Sequence, residues 1–148
     1  MGMKRITTFL LLCIICFIAK SETRTVGVGY TFDTGLHFRL EQFEAQIIFG
    51  DVSLYGLRFY PFEKSIMISS FLTNFYAGFE ADIVQSKLLD GGYVAGIFGG
   101  LDKSIFKNLH LSLDIGFYMV SLKGLETVNE TGIIMSTKLT YYLGGGKR

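Results

Sequence analysis

The chain of 148 residues has room for one domain of ordinary size. It is 49% hydrophobic and only 18% charged, with 18 glycines and a formal net charge of +1. That balance excludes a disordered chain and gives no electrostatic footing for nucleic acid or a strongly charged partner.

In chain order, the first element is an export signal over residues 1–21. Lys4 and Arg5 precede an apolar stretch from Ile6 to Ala19, interrupted by Thr7 and Thr8 and closed by Lys20. Roughly 14 residues of helix reach about 21 Å, short of a bilayer core of about 30 Å. Ala19 and Ser21 suit cleavage after Ser21, with cleavage after Ala19 as the alternative, which sets bulky Phe17 three positions back. Cys13 and Cys16 have redox or zinc-site spacing but fall inside this removable stretch, so the expected mature protein has no thiol chemistry and no disulfide.

From residue 22 onward the apolar residues recur with the strand period of two. The clearest run is Leu109, Leu111, Leu113, Ile115, Phe117, Met119, alternating with His110, Ser112, Asp114, Gly116 and Tyr118. Phe71, Thr73, Phe75, Ala77, Phe79, Ala81, Ile83 form a second, and Ile133, Met135, Thr137, Leu139, Tyr141, Leu143 a third. Eight strands are expected at about 25–32, 36–40, 43–49, 53–61, 71–84, 92–103, 109–122 and 132–143. Reading 25–40 as one strand gives seven and leaves the termini on opposite sides, which is unusual for a single-chain barrel. The apolar parity switches at Glu41-Gln42, as a two-residue hairpin pairing Leu40 with Phe43 requires. Asp33-Thr34-Gly35 reads as a three-residue loop pairing Phe32 with Leu36, with Gly35 in the left-handed conformation. Gly50-Asp51, Gln85 to Gly91 and Lys123 to Thr131 connect strands at one end. Glu41-Gln42, Phe62 to Ser70 and Lys103 to Asn108 connect them at the other.

Alternation alone does not say which face is buried, but the non-apolar set does. It contains Gly27, Gly29, Gly56, Gly78, Gly96 and Gly116. Glycine contributes nothing to a solvated strand but fits the crowded inside of a narrow barrel. The charges on that set are Arg39, Arg58 and Lys138 against Glu44, Glu80, Asp82 and Asp114. Buried charges must pair, and a near-balanced set of both signs reads as an interior salt-bridge network. The large apolar residues then face outward, toward lipid, with Tyr55, Phe59, Tyr93 and Tyr141 as candidates for aromatic girdles. The expected fold is an all-β, antiparallel up-and-down transmembrane barrel over 22–143, followed by a flexible tail over 144–148.

The mature chain resembles the small outer-membrane barrels of Gram-negative bacteria, the OmpA/OmpX-like group. The resemblance rests on GVGYTF (27–32), GLRFYPF (56–62) and the terminal strand. In that group the last strand carries an assembly signal of alternating outward residues ending in an aromatic. Thr137, Leu139, Tyr141 and Leu143 match its spacing, although Leu143 replaces the aromatic and Gly144 to Arg148 extend past it. The resemblance implies outer-membrane lipids as surroundings, and periplasmic chaperones and the barrel-assembly machinery as biogenesis partners. A monomer is expected.

Few residues point to chemistry. An interior of eight strands is just wide enough for side chains, which argues against a solute pore. His110 and Ser112 lie on one strand face, the arrangement of a histidine base and serine nucleophile, and outer-membrane lipid A deacylases use such a pair with a carboxylate. Here the pair shares its face with Asp114 next to a turn at the periplasmic end, so interior filling is the expected role. His37 and His110 are too few for a metal centre, and no cofactor is expected. The expected function is structural, supporting envelope integrity or surface interaction. A lipid A hydrolase and a soluble lipocalin-like ligand carrier in the periplasm are the alternatives.

Overall fold

The computed structural model describes residues 26–32, 34–68, 71–87, 90–124 and 126–143. The expected signal over 1–21, its cysteines and the tail over 144–148 lie outside the described residues. Eight antiparallel strands follow one another in chain order: β1 (Val26–Thr31), β2 (Gly35–Leu40), β3 (Phe43–Ile48), β4 (Val52–Ile68), β5 (Phe71–Ser86), β6 (Gly91–Phe106), β7 (Leu109–Lys123) and β8 (Thr127–Leu143). Each strand pairs with its neighbours in sequence, and β1 pairs with β8 to close the barrel.

Several strands run beyond their expected ends. The Phe62 to Ser70 connection is instead mostly strand, because a bulge between Phe59 and Phe62 absorbs Pro61 and restarts the alternation with Phe62 outward. The bulge breaks the parity, so the sequence pattern ends there although the strand does not. The same correction applies beyond Lys103, where a register shift between Ser104 and Phe106 extends β6. β8 begins at Thr127 rather than at residue 132, since a polar, exposed strand leaves no alternation to read. Thr73, expected outward, is buried. In the first hairpin Thr31 faces Gly35 and Tyr30 faces Leu36, so Phe32 does not pair with Leu36. The left-handed residue is Thr34 (φ 65°), not Gly35. The Glu41-Gln42 turn pairs Leu40 with Phe43 as expected.

The register fixes the barrel's shape. Paired residues followed from Val26 through Leu40, Phe43, Phe59, Phe79, Ile97 and Phe117 arrive at Ile133, ten residues short of Leu143, which Val26 itself faces. Eight strands with that stagger tilt by about 40° and enclose a cylinder of about 8 Å radius. Each residue then climbs roughly 2.5 Å along the barrel axis.

The wall is uneven. β1, β2 and β3 are 6 residues each, whereas β4 to β8 run 15 to 17. On β8 the last residue facing β1 is Lys138, and the Phe32 N–H donates to the Thr137 carbonyl at 2.9 Å. Residues 127–136 pair with β7 only, so the β7–β8 hairpin stands above the β1–β2 turn. At the opposite end, β4 beyond Tyr60 pairs with β5 only and projects below the β2–β3 turn.

Polarity is inverted relative to a soluble domain. Large apolar side chains are exposed on every strand, among them Phe38, Phe43, Leu57, Phe79, Ile97, Phe117 and Ile133, while most ionised side chains of the wall are buried inside. The glycines serve the inner face. A Cβ on Gly27 would come within 2.9 Å of Thr140 and Tyr142, and one on Gly78 within 2.8 Å of the Phe98 ring. Tyrosine and phenylalanine rings occupy the volume that these glycines vacate.

Candidate functional site

The site is the barrel's interior. The pairing register sets Arg39 opposite Glu44, Glu44 opposite Arg58 and Arg58 opposite Glu80, so charge alternates across four adjacent strands. Like charges side by side would repel; alternating ones stabilise the sheet from within. From the far wall, Asp114 on β7 and Lys138 on β8 reach across the lumen.

The centre of the network is Arg58, which is 2% exposed. Its Nη1 donates to Asp114 Oδ2 at 2.6 Å and lies 3.7 Å from Glu44 Oε1, and its Nε lies 2.8 Å from Glu80 Oε2. That last contact is an ion pair rather than an aligned hydrogen bond, since Nε has no bond of acceptable angle. The guanidinium also sits 3.7 Å from the Phe98 ring centre. Lys138 Nζ donates to Glu44 Oε1 at 2.5 Å and lies 3.4 Å from Asp114 Oδ2. Tyr60 donates to Glu44 at 2.9 Å, and Tyr76 donates to Asp114. With these contacts the middle of the lumen is occupied from wall to wall.

Polar layers lie above and below. Above, the Gln46 amide donates to Glu80 at 2.7 Å and to Asp82 at 2.9 Å, and Tyr118 donates to Glu80 at 2.9 Å. Below, Arg39 pairs with Glu63 at 2.8 Å, donates to Tyr142 at 3.3 Å and lies over the Tyr60 ring at 4.1 Å. His37 bridges the first and last strands, with Nε2 2.9 Å from Thr140 Oγ1 and Nδ1 3.5 Å from Thr31 Oγ1.

The His110 and Ser112 pair belongs to the lower layer. Asp102 gathers both: His110 Nδ1 lies 2.7 Å from its Oδ2, and Ser112 donates to its Oδ1 at 2.9 Å. The serine proton thus points at a carboxylate. A nucleophile needs its hydroxyl on the histidine instead, and no Ser112–His110 bond occurs among the described residues. No group of three or more His, Cys, Asp or Glu suited to a metal ion occurs among the described residues.

Arg39, Glu44, Arg58, Asp82, Asp114 and Lys138 are all buried, and Glu80 is nearly so. The structure brings six of the seven into one connected set with Gln46 and the tyrosines. Arg39 joins it only through the Tyr60 ring, its own ion pair being with Glu63. The sequence reading passed over Asp102, Gln46, Tyr60, Phe98 and Glu63. Asp102 and Phe98 share the even parity of Val94 and Gly96 on β6, a signal that was available. Glu63 lies past the bulge, where that signal is lost. On the outer face, Leu139, Tyr141 and Leu143 lie opposite Tyr30, Val28 and Val26, and the Thr137 carbonyl accepts from Phe32. Comparison with protein-family profiles, curated proteins and solved structures returned no match.

Proposed function

We propose that the chain is an outer-membrane β-barrel of structural role, a monomer with a filled polar interior that supports envelope integrity or surface interaction. One observation carries this reading: an apolar belt surrounds a charged, hydrogen-bonded lumen. In water such an arrangement exposes far more contiguous apolar surface than a soluble monomer tolerates. In lipid it is the favourable one, because a closed sheet pairs its backbone and the belt meets acyl chains. On β7 the outward set from Leu111 to Met119 spans roughly 20 Å at about 2.5 Å per residue, close to the band of about 25 Å typical of such barrels.

A lipocalin-like carrier needs the opposite arrangement, an apolar cavity inside and a polar coat. A hydrolase reading has only His110 and Ser112, both committed to Asp102. The filled lumen favours a structural barrel over a pore. Short connections between long strands leave little surface for an adhesin. The proposal extends to residues 1–21 as a cleaved export signal, and to Thr137, Leu139, Tyr141 and Leu143 as the strand read by the barrel-assembly machinery after periplasmic chaperones deliver the chain. This is the OmpA/OmpX-like plan.

Cell fractionation tests it. The mature chain is expected in the outer-membrane fraction, extractable only with detergent, with a gel mobility that shifts on boiling. Recovery in a soluble fraction without detergent overturns it.

A further inference from the structure

Above the Arg58 layer the side chains that fill the lumen leave a small void. A cavity of about 80 Å³ lies there, lined by the charged Arg58, Glu80 and Asp82 and, as an apolar collar, by Leu54, Val94 and Ile134. Its charges do not balance. Glu80 has Arg58 at 2.8 Å and the Tyr118 hydroxyl at 2.9 Å. Asp82 is 3% exposed, and no Lys, Arg or His lies within 4.0 Å of it among the described residues. Its partners are the Gln46 amide at 2.9 Å, whose same nitrogen already serves Glu80, and the Glu80 carboxyl itself, a group of like charge. The Arg58 charge is divided among Glu44, Glu80 and Asp114. Space for Asp82 is kept by Gly56 directly opposite it, where a Cβ would overlap the carboxylate. A buried carboxylate without a cation is costly, and a cavity beside it is where a cation relieves that cost.

The cavity also has a way out through the wall. Ile134 faces inward by parity yet is 44% exposed, because β1 has ended opposite Lys138. A Cβ added to Gly132 would meet nothing within 4 Å. Outward at the same height stand Ile133 and Met135, 71% and 63% exposed. The gap between the β8 edge and the β1–β2 turn therefore opens at the level of the apolar belt, and its β8 lip is apolar at Ile133, Ile134 and Met135.

We propose that this cavity binds one primary ammonium group against Asp82, that of a single-chain amphiphile whose tail leaves over Ile134 through the gap. The cavity takes a small head group, the carboxylate selects its charge, and the collar and lip accept methylenes. A charge-assisted N–H···O bond to Asp82 supplies the selectivity. The binding site depends on the barrel alone; only the tail's passage into lipid rests on the membrane reading.

The test uses the mature chain folded in detergent, with dodecylamine, dodecanol and dodecanoate as ligands and native mass spectrometry as the readout. One dodecylamine adduct is expected, with dodecanol and dodecanoate weaker by about tenfold or more. Asp82→Asn and Ile134→Trp are each expected to weaken the amine adduct by a similar factor while the boiling-dependent gel shift is kept. Ile134 is exposed, so its variant carries the test even where Asp82→Asn fails to fold. Equal binding of all three ligands, binding unchanged in both variants, or no adduct overturns the proposal. A membrane-extracted barrel that ignores the amine sinks this inference alone. A soluble barrel that binds it sinks the membrane reading alone.

Discussion

Replacing Ile115 by arginine separates lipid from water as the surroundings of the belt. Ile115 points outward from β7, is 54% exposed, and lies between Gly99 and Met135 on the neighbouring strands. Leu111 and Met119 lie on the same face, each four residues away along the strand, or about 10 Å along the barrel axis. If the belt meets lipid, arginine at Ile115 sits near the midplane and costs ~2–4 kcal/mol, whereas at Leu111 or Met119 it costs ~0–1 kcal/mol. If the belt meets water, all three changes stay within ~0.5 kcal/mol, as surface substitutions do. Guanidinium unfolding in phosphatidylcholine vesicles, followed by the mobility of unboiled protein on gels, measures the three variants side by side. A cost peaking at Ile115 is expected. A flat profile refutes the membrane placement.

The interior yields further predictions. Arg58→Met strands Glu80, leaves Glu44 and Asp114 to share Lys138 alone, and is expected to cost ~3–5 kcal/mol, read from the unfolding midpoint; a loss under ~1 kcal/mol contradicts the network. Gly78→Ala drives a methyl into the Phe59 carbonyl and the Phe98 ring and should lose ~1–3 kcal/mol, while Gly132→Ala, with nothing near its Cβ, is expected to be neutral or to gain up to ~1 kcal/mol. Because the central pairs are screened little by salt, raising sodium chloride from about 0.1 to 1 M is expected to leave the unfolding midpoint nearly unchanged after correction for the Arg58→Met reference. Ser112→Ala removes one donor from Asp102 at a cost of ~1–3 kcal/mol. It is expected to leave the lipid A mass spectrum of expressing cells unchanged, and an acyl chain lost only with Ser112 present contradicts the non-enzymatic reading.

The period of two carried most of the fold. It located eight strands, and the parity switch at Glu41-Gln42 fixed one turn and its register. It failed where the backbone departs from ideal pairing. Pro61 has no N–H to give a ladder, so the chain bulges there, and the alternation restarts out of phase in Phe62–Ile68. The first half of β8 failed for another reason: Thr127 to Met135 are exposed on both faces, so no burial imposes a pattern. At the site, parity alone placed Arg39, Glu44, Arg58, Glu80, Asp82, Asp114 and Lys138 on the inner face. What parity cannot give is who meets whom across the lumen, because the Arg58–Asp114 and Lys138–Glu44 contacts depend on the ten-residue stagger. The gap beside β8 follows from the shortness of β1 against β8, whose exposed first half carries no alternation to mark it.

The unequal strands also bear on how the barrel comes together and where it first comes apart. β4 to β8 zip to one another over 11 to 15 paired positions at each junction, each pairing between chain neighbours. Every junction that involves β1, β2 or β3, including the β1–β8 closure, has 6. A five-stranded sheet thus gathers by successive local hairpins, and a narrow three-stranded strip completes the ring. Of all the junctions, only β8 to β1 joins the two ends of the chain, and it does so with one of the shortest ladders. That seam is therefore expected to form last and to part first, with the amides of β1 exchanging ahead of those of β5 to β7.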